Sequence, residues 1–389
     1  MAGLVVIGAG QAALQLAMSL RAAGDSREIT LIGDEPYAPY SRPPLSKSFL
    51  KGDTQVDDLF FRPPGWFSDN GVALHTGQRA SAIDPARRIV RLPDRDLPYD
   101  TLVLATGARP RSLADLPATL GNVATLRGID DIRNLLDLLP SCERVAVIGG
   151  GFIGLEFAAV MRGTGRSVTL VEAAPRLMGR AVSPGLSDWF AALHRQNGVD
   201  LRLATGVTGV ERQGDRVAAL ALSDGTRLAT DLVLVGVGVL PNDDLARAAG
   251  LPCDNGIVVT ETLRTAEPRI FAIGDCAAFP LRDGRRVRLE SVQNAVDQAK
   301  HLARVLQGDT APYAATPWFW SDQYEVKLQI AGLLPAGADA AIIADTTGFS
   351  LDHVVGGLLA CRESVNDPRA HLQARKTVGR PAISPVGTT

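Results

Sequence analysis

Cysteine is scarce and scattered: the 389-residue chain has four, Cys142, Cys253, Cys276 and Cys361. No two lie close in sequence, which excludes a C-x-x-C motif, a zinc-type pairing and the dense disulfide framework of a small secreted domain. The expectation is free thiols in a reducing cytoplasm. A surplus of one charge is missing too. Lys plus Arg is 40, Asp plus Glu is 42, and the formal net charge is −2. Nothing therefore points to nucleic acid, which a protein normally meets with a basic excess. Long apolar runs are absent apart from residues 3–20. No basic segment precedes that run, and Gln11, Gln15 and Ser19 interrupt it. A buried strand leading into a buried helix is the expectation there, not a leader or a membrane span.

What the chain does have is glycine, 39 residues of it, placed at telling positions. Leu4-Val5-Val6-Ile7 is a short β-branched run. It leads into Gly8-Ala9-Gly10-Gln11-Ala12-Ala13 and then a helical pattern through Leu20. Ile29 to Ile32 is a second strand-like run, ending at Gly33-Asp34-Glu35. Strand, glycine turn, helix, strand and acid make a βαβ dinucleotide unit. The same order recurs a domain's length later. Arg144 to Ile148 is the strand, Gly149-Gly150-Gly151-Phe152-Ile153-Gly154 the turn, and Leu155 to Met161 the helix; Val168 to Val171 ends at Glu172. Two later runs, Leu102 to Gly107 and Leu232 to Gly238, each look like a strand ending in a turn beside a nucleotide. The tail from about Trp318 alternates strand-like runs (Val326 to Ile330, Ala340 to Ile343, Val354 to Leu359) with glycine turns, as a small α+β domain does.

A glycine turn at a strand's mouth makes the bend, lets backbone N–H groups approach a pyrophosphate, and lets the helix pack closely on the sheet. The helix N-terminus adds positive potential. One such turn is weak testimony; two, each trailed by an acid, are strong. Gly8 and Gly10 stand in the first copy, with Ala13 at the third glycine's place. Gly149, Gly151 and Gly154 complete the second. Glu172 lies about twenty residues past the middle glycine, where an acid accepts from ribose hydroxyls and repels a 2′-phosphate, favouring NADH over NADPH. Arg176, four residues on, pulls slightly the other way.

Further motifs stand in order: Ser41-Arg42-Pro43-Pro44-Leu45-Ser46-Lys47, Ala105-Thr106-Gly107-Ala108-Arg109-Pro110, Ile273-Gly274-Asp275, Glu290-Ser291-Val292-Gln293-Asn294-Ala295 and Pro317-Trp318-Phe319-Trp320-Ser321-Asp322-Gln323. Together with the glycine turns they resemble the FAD-dependent NADH:ferredoxin reductases of bacterial P450 and aromatic-ring dioxygenase systems. The resemblance runs from about residue 3 to about residue 335. It implies an α/β fold of glutathione-reductase type: two Rossmann-like domains and a small C-terminal α+β domain. The FAD domain would be split, 1–110 and 238–314, around an NADH domain at 111–237, with 315–389 at the end. It also implies roles. Ala12 and Ala80 would line the FAD pocket, Asp34 would meet its ribose, and Arg42 and Arg127 its polar groups. Lys47 would sit by the flavin ring, Asp275 on the ribityl chain and Val292 at the ring edge. Glu156 would lie near the nicotinamide, Trp320 beside the stacked rings, and Gly238 in the turn by NADH.

The implied partner is a [2Fe–2S] ferredoxin, with no nucleic acid, no membrane and a cytoplasmic setting. Relatives that reduce disulfides or peroxide need cysteine just after the first unit. Here Ser41, Ser46 and Ser48 stand in that region, so electrons have no thiol exit. Cys276, beside Asp275, reads as packing. Rubredoxin as acceptor, oxygen as acceptor, and a redox-responsive flavoprotein that regulates partners remain as alternatives. The basic run Arg282, Arg285, Arg286, Arg288 reads as a solvated hairpin more readily than as a docking patch.

Overall fold

The four-residue run Leu4–Ile7 is buried along its whole length, and so is the core of each strand beside it. Such strands, apolar on both faces, belong in the middle of a parallel sheet. In the computed structural model, which describes residues 3–335, 339–344 and 348–382, they do. The chain forms two compact units. One holds Met1–Ser41, Asp57–Arg109 and Leu240–Ala315; the other holds Arg42–Val56, Pro110–Val239 and Thr316–Thr389.

In the first unit five parallel strands run in the order Ile270–Ala272, Thr101–Leu104, Leu4–Ile7, Ile29–Ile32, Val72–His75. The helix Gln11–Ala22 leaves the Leu4–Ile7 strand through the glycine turn and lies against the helix Val292–Val305. That second helix starts later than the expected Glu290, because the Ser291 hydroxyl accepts the Asn294 N–H and caps it.

In the second unit the parallel sheet runs Asp200–Arg202, Ser167–Val171, Arg144–Ile148, Leu232–Val235, Val123–Ala124. The helix Phe152–Gly163 follows the second glycine turn. A further antiparallel sheet comprises Trp318–Gln323, Val326–Gly332, Leu358–Val365, Phe349–Val355 and Asp339–Ala344, in that order, with the helix Pro368–Thr377 against it. This is the α+β tail, with one correction. Val354 to Leu359 is not a single strand. Gly356 (φ 56°) and Gly357 (φ 78°) turn it into the tip of a hairpin, because two consecutive left-handed residues reverse a strand. The chain beyond Ala382, expected to fray from about Gly379, lies outside the described residues.

Hydrogen bonds to a buried carboxylate fix the tail's place within its unit. Glu363, fully buried, accepts from the Ser183 amide (2.7 Å) and hydroxyl (2.5 Å), and its Oε2 lies 2.8 Å from His353 Nε2. Within the tail itself, Arg362 and Asp352 form a buried, two-toothed ion pair. Removing one partner of such a pair leaves an uncompensated buried charge, which costs about 3–5 kcal/mol.

Candidate functional site

The first glycine turn is built by exclusion. Gly8 has φ +112°, and a Cβ there would stand 2.1 Å from the Ala105 carbonyl oxygen, so only glycine fits. Gly10 is different. It caps the helix Gln11–Ala22 with no side-chain hydrogen bond and no acid in the first turn, and a Cβ there would meet nothing within 4 Å. The helix thus offers uncapped N–H groups to open space, the cradle a pyrophosphate needs. The turn Gly274–Cys276 closes on the same place: a Cβ on Gly274 (φ +78°) would come 3.3 Å from that of buried Ala12. Gln298, fully buried, holds this turn by accepting the Gly274 N–H at 2.7 Å. Asp34 is exposed just past the Ile29–Ile32 strand, whereas its neighbour Glu35 accepts from Tyr40 at 2.5 Å. Ala80 is buried on the loop that follows Gly77 and Gln78, whose amides donate to Glu35 and Gly33. Val292 opens its helix half-buried. These groups fit a flavin dinucleotide: a backbone cradle, a free carboxylate for a ribose, and a second acid, Asp275, on a fixed turn.

The second turn repeats the device. Gly149 has φ +109°, with a Cβ position 2.4 Å from the Gly236 oxygen; Gly151 caps the next helix facing open space. Gly154 could carry no side chain, since its Cβ would stand 2.2 Å from the Gly149 oxygen. Glu172 reaches back into this turn. Its carboxylate accepts the Gly150 N–H at 2.6 Å and the Ala174 N–H at 2.7 Å. Arg176 donates to the Val182 and Gly179 carbonyls and braces its own loop. Gly238 (φ +95°) accepts from the Arg111 amide, and a Cβ there would lie 3.4 Å from Arg180 Nη2.

Also within the second unit, Lys47, Glu156 and the Trp318–Gln323 strand converge. Glu156, buried in the helix Phe152–Gly163, accepts from Lys47 Nζ at 2.6 Å, Ser46 at 2.5 Å and Ser321 at 2.7 Å. The spacing explains the fit. Phe152 and Glu156 are one helical turn apart, Phe319 and Ser321 share a strand face, and the two phenyl rings pack edge-on at 4.8 Å. Trp318 and Trp320 take the other face, 5.7 Å apart, and Arg375 stacks on Trp318. Arg42 donates to the Arg127 carbonyl at 2.7 Å, while the Arg127 amide is held by Asp131.

The family described as "Pyridine nucleotide-disulphide oxidoreductase" matches residues 2–299, and "Reductase C-terminal" matches residues 318–385. The chain belongs to the pyridine nucleotide-disulphide oxidoreductase family. It is similar to rhodocoxin reductase of Rhodococcus erythropolis, 47% identical over 96% of this chain and 88% of that one. The ferredoxin reductase for the CYP199A2 system from Rhodopseudomonas palustris superposes with a TM-score of 0.94 at 44% identity, covering 98% of this chain and 96% of that one. A chain of the covalent putidaredoxin reductase–putidaredoxin complex superposes with a TM-score of 0.92 at 40% identity, covering 96% and 92%. The doubly Rossmann-like fold with its added C-terminal domain is that of these reductases, and the chain is an FAD-dependent oxidoreductase that uses a nicotinamide dinucleotide.

Disulphide chemistry, which the family's name carries, has no thiol to run on here. Cys142, Cys276 and Cys361 are buried, and burial raises the pKa of each; it pushes the Cys253 thiol up to about 11. A thiol held protonated is a poor nucleophile. Among the described residues no helix is long and apolar enough to cross a membrane, and no cluster of His, Cys, Asp and Glu is arranged for a metal.

Three contributors escaped the sequence reading. Ser46 and Ser321 stand inside quoted motifs, but only the fold brings both hydroxyls to Glu156. Arg288 was grouped with a solvated basic hairpin; its side chain is 6% exposed. It donates to the Asp275 carbonyl at 3.1 Å and pairs with Glu290 at 2.7 Å, so it braces the Asp275 turn. Its neighbours Arg285 and Arg286 lie against Asp283 and Asp254.

Proposed function

We propose that this protein carries electrons from NADH, through FAD, to a [2Fe–2S] ferredoxin that feeds a cytochrome P450 or a ring-hydroxylating oxygenase. One observation carries the reading: the chain holds two glycine turns, each ending in an uncapped helix that faces open space, and no reactive thiol between them. Two dinucleotides and no thiol exit call for an outside electron acceptor. The resemblance to reductases of P450 systems supports ferredoxin over rubredoxin or oxygen.

FAD is assigned to 1–110 and 238–314, NADH to 111–237, and the tail to 315–389. FAD, when bound, would supply the hydride acceptance and single-electron release. The residues do the rest. Gly8, Gly10 and Ala12 admit the FAD pyrophosphate, and Asp34 binds its ribose. Asp275 accepts from the ribityl hydroxyls. Ala80 and Val292 line the FAD pocket of the first unit, and Arg42 and Arg127 are assigned to the cofactor's polar groups. Lys47, oriented by Glu156, supplies a cation that favours negative charge on the ring. Gly149, Gly151, Gly154 and Gly238 admit NADH. Glu172 selects it, and Trp320 stacks at the nicotinamide end.

The test is NADH-driven cytochrome c reduction with and without a purified [2Fe–2S] ferredoxin. Reduction should require the ferredoxin. Rapid NADH oxidation indifferent to ferredoxin overturns the proposal in favour of an oxidase. Slow oxidation indifferent to it overturns the proposal in favour of a redox-responsive binding protein.

A further inference from the structure

Glu156 is the end of a longer chain of hydrogen bonds. Ser321, which donates to Glu156, lies 3.2 Å from Gln323 Nε2. Gln323 Oε1 lies 2.8 Å from His194 Nε2, and His194 Nδ1 lies 3.4 Å from the Tyr324 hydroxyl. Ser321, Gln323 and His194 are fully buried.

The carboxylate dictates the polarity of every link. An ionised Glu156 only accepts, so Ser321 must donate to it. The single Ser321 proton is then spent, so Gln323 must present its NH₂. Its carbonyl therefore faces His194, which must carry its proton on Nε2 and leave Nδ1 to accept from Tyr324. Burial holds the imidazole pKa down, which keeps it neutral, and raises the Tyr324 pKa to about 12, which keeps the hydroxyl a donor. Tyr324 offers a second, independent sign. It begins the two-residue loop between paired Gln323 and Val326 with φ +55°, a place glycine or asparagine usually fills. Its ring rests on His194, centroids 5.1 Å apart.

We propose that His194 is a positioning residue for the redox site: through Gln323 and Ser321 it keeps the Glu156 carboxylate oriented toward Lys47. Without the His194 donor, the Gln323 amide is free to turn over and take the Ser321 proton for itself, and Glu156 Oε1 loses its donor. The proposal rests on the reading that Lys47 and Glu156 belong to the redox site. Other charged groups stand on or beside these elements. Asp322, on the alternate strand face, lies 3.9 Å from Lys327. Asp200 pairs with Arg202 on the strand against which the His194 helix, Pro184–Gln196, packs, and Arg144 pairs with Asp231. Arg162 is the charge acting on Tyr324.

The experiment follows single-turnover flavin reduction by NADH from about pH 5.5 to about pH 9 in the holoenzyme. His194→Phe should move the acid limb to higher pH, slowing reduction at least about threefold at the acid end of that range and less than about twofold near pH 8.5. His194→Gln should restore the wild-type profile, because its amide nitrogen replaces Nε2. Ser321→Ala should reproduce the shift, and adding His194→Phe to it should change nothing more. Additive shifts, or equal slowing at every pH, overturn the proposal. A second measurement needs neither turnover nor a variant that folds: ¹⁵N NMR of the five histidines should show His194 neutral with its proton on Nε2, and a proton on Nδ1 overturns the chain. If Glu156→Gln leaves the acid limb unmoved, the site reading itself falls, and the proposal with it, whatever the tautomer.

Discussion

The two glycine turns are the same backbone device built to different tolerances. In each, the first glycine has φ above +100° and abuts a carbonyl just past the end of the neighbouring paired strand, Ala105 or Gly236. In each, the residue owning that carbonyl donates its amide to the last residue of the first strand, Ile7 or Ile148, at 2.7 Å. The difference lies one turn into the helix. The first unit has alanine at both facing positions, Ala105 and Ala13. The second has glycine at both, Gly236 and Gly154, and a Cβ on Gly236 would sit 3.8 Å from the Gly154 backbone. The third glycine of the motif is thus a statement about how closely a helix lies on its sheet, not about the ligand.

Exchanging those residues should break the comparison most violently. Gly154→Ala forces a methyl to 2.2 Å from a backbone oxygen that cannot step aside. Overpacking of that kind should cost about 3 kcal/mol or more. Ala13→Gly, the reverse change in the first turn, should cost only about 1 kcal/mol, the helix penalty of glycine. Denaturant melts of both variants check this. Equal losses would mean that the two helices sit at the same distance after all.

The middle glycines sharpen the same contrast from the ligand's side. Gly10 and Gly151 both face open space with ordinary negative φ, so alanine at either should leave stability within about 1 kcal/mol of wild type. The methyl then occupies the place where a pyrophosphate approaches. Gly10→Ala should shed FAD on dialysis, the visible flavin spectrum falling away. Gly151→Ala should stay yellow and bind NADH about thirtyfold more weakly, roughly 2 kcal/mol. Loss of FAD from both variants would remove the assignment of one nucleotide to each turn.

Much of this was legible in the sequence, for a definite reason. A turn that needs φ above +100° and no Cβ writes itself as glycine, and an all-buried strand writes itself as a short β-branched run. Leu4–Ile7, Ile29–Ile32 and Arg144–Ile148 were therefore readable to the residue. Partnerships across the fold were not. Lys47 and Glu156 are over a hundred positions apart, and neither motif names the other. Arg288 sat in a run of arginines that looked alike. Only its approach to the Asp275 carbonyl, where a Cβ on Gly256 would crowd it at 2.9 Å, sets it apart. Gly356 and Gly357 carried a turn signal that the surrounding apolar residues masked.

The acids give the smallest and most discriminating contrast. Glu172 is tied into its own turn by two backbone amides, whereas Asp34 is exposed with no described partner. A carboxylate already held in place loses little freedom when it accepts from a ribose, and it cannot swing away from a 2′-phosphate, so its repulsion counts in full. Wild type should therefore prefer NADH over NADPH by at least about tenfold in kcat/KM, roughly 1.4 kcal/mol. Glu172→Gln keeps the shape but removes the charge and one of the two acceptors. The preference should fall to about threefold or less, chiefly through a lower KM for NADPH. Asp34→Asn should do less, weakening FAD retention only about two- to threefold, because Asp34 organises no turn and faces no competing phosphorylated cofactor. Steady-state kinetics with both coenzymes and an FAD titration of the apoprotein measure the pair. If Asp34→Asn empties the flavin site while Glu172→Gln leaves coenzyme choice untouched, the tied acid is a structural brace and the exposed one is the anchor, and the comparison reverses.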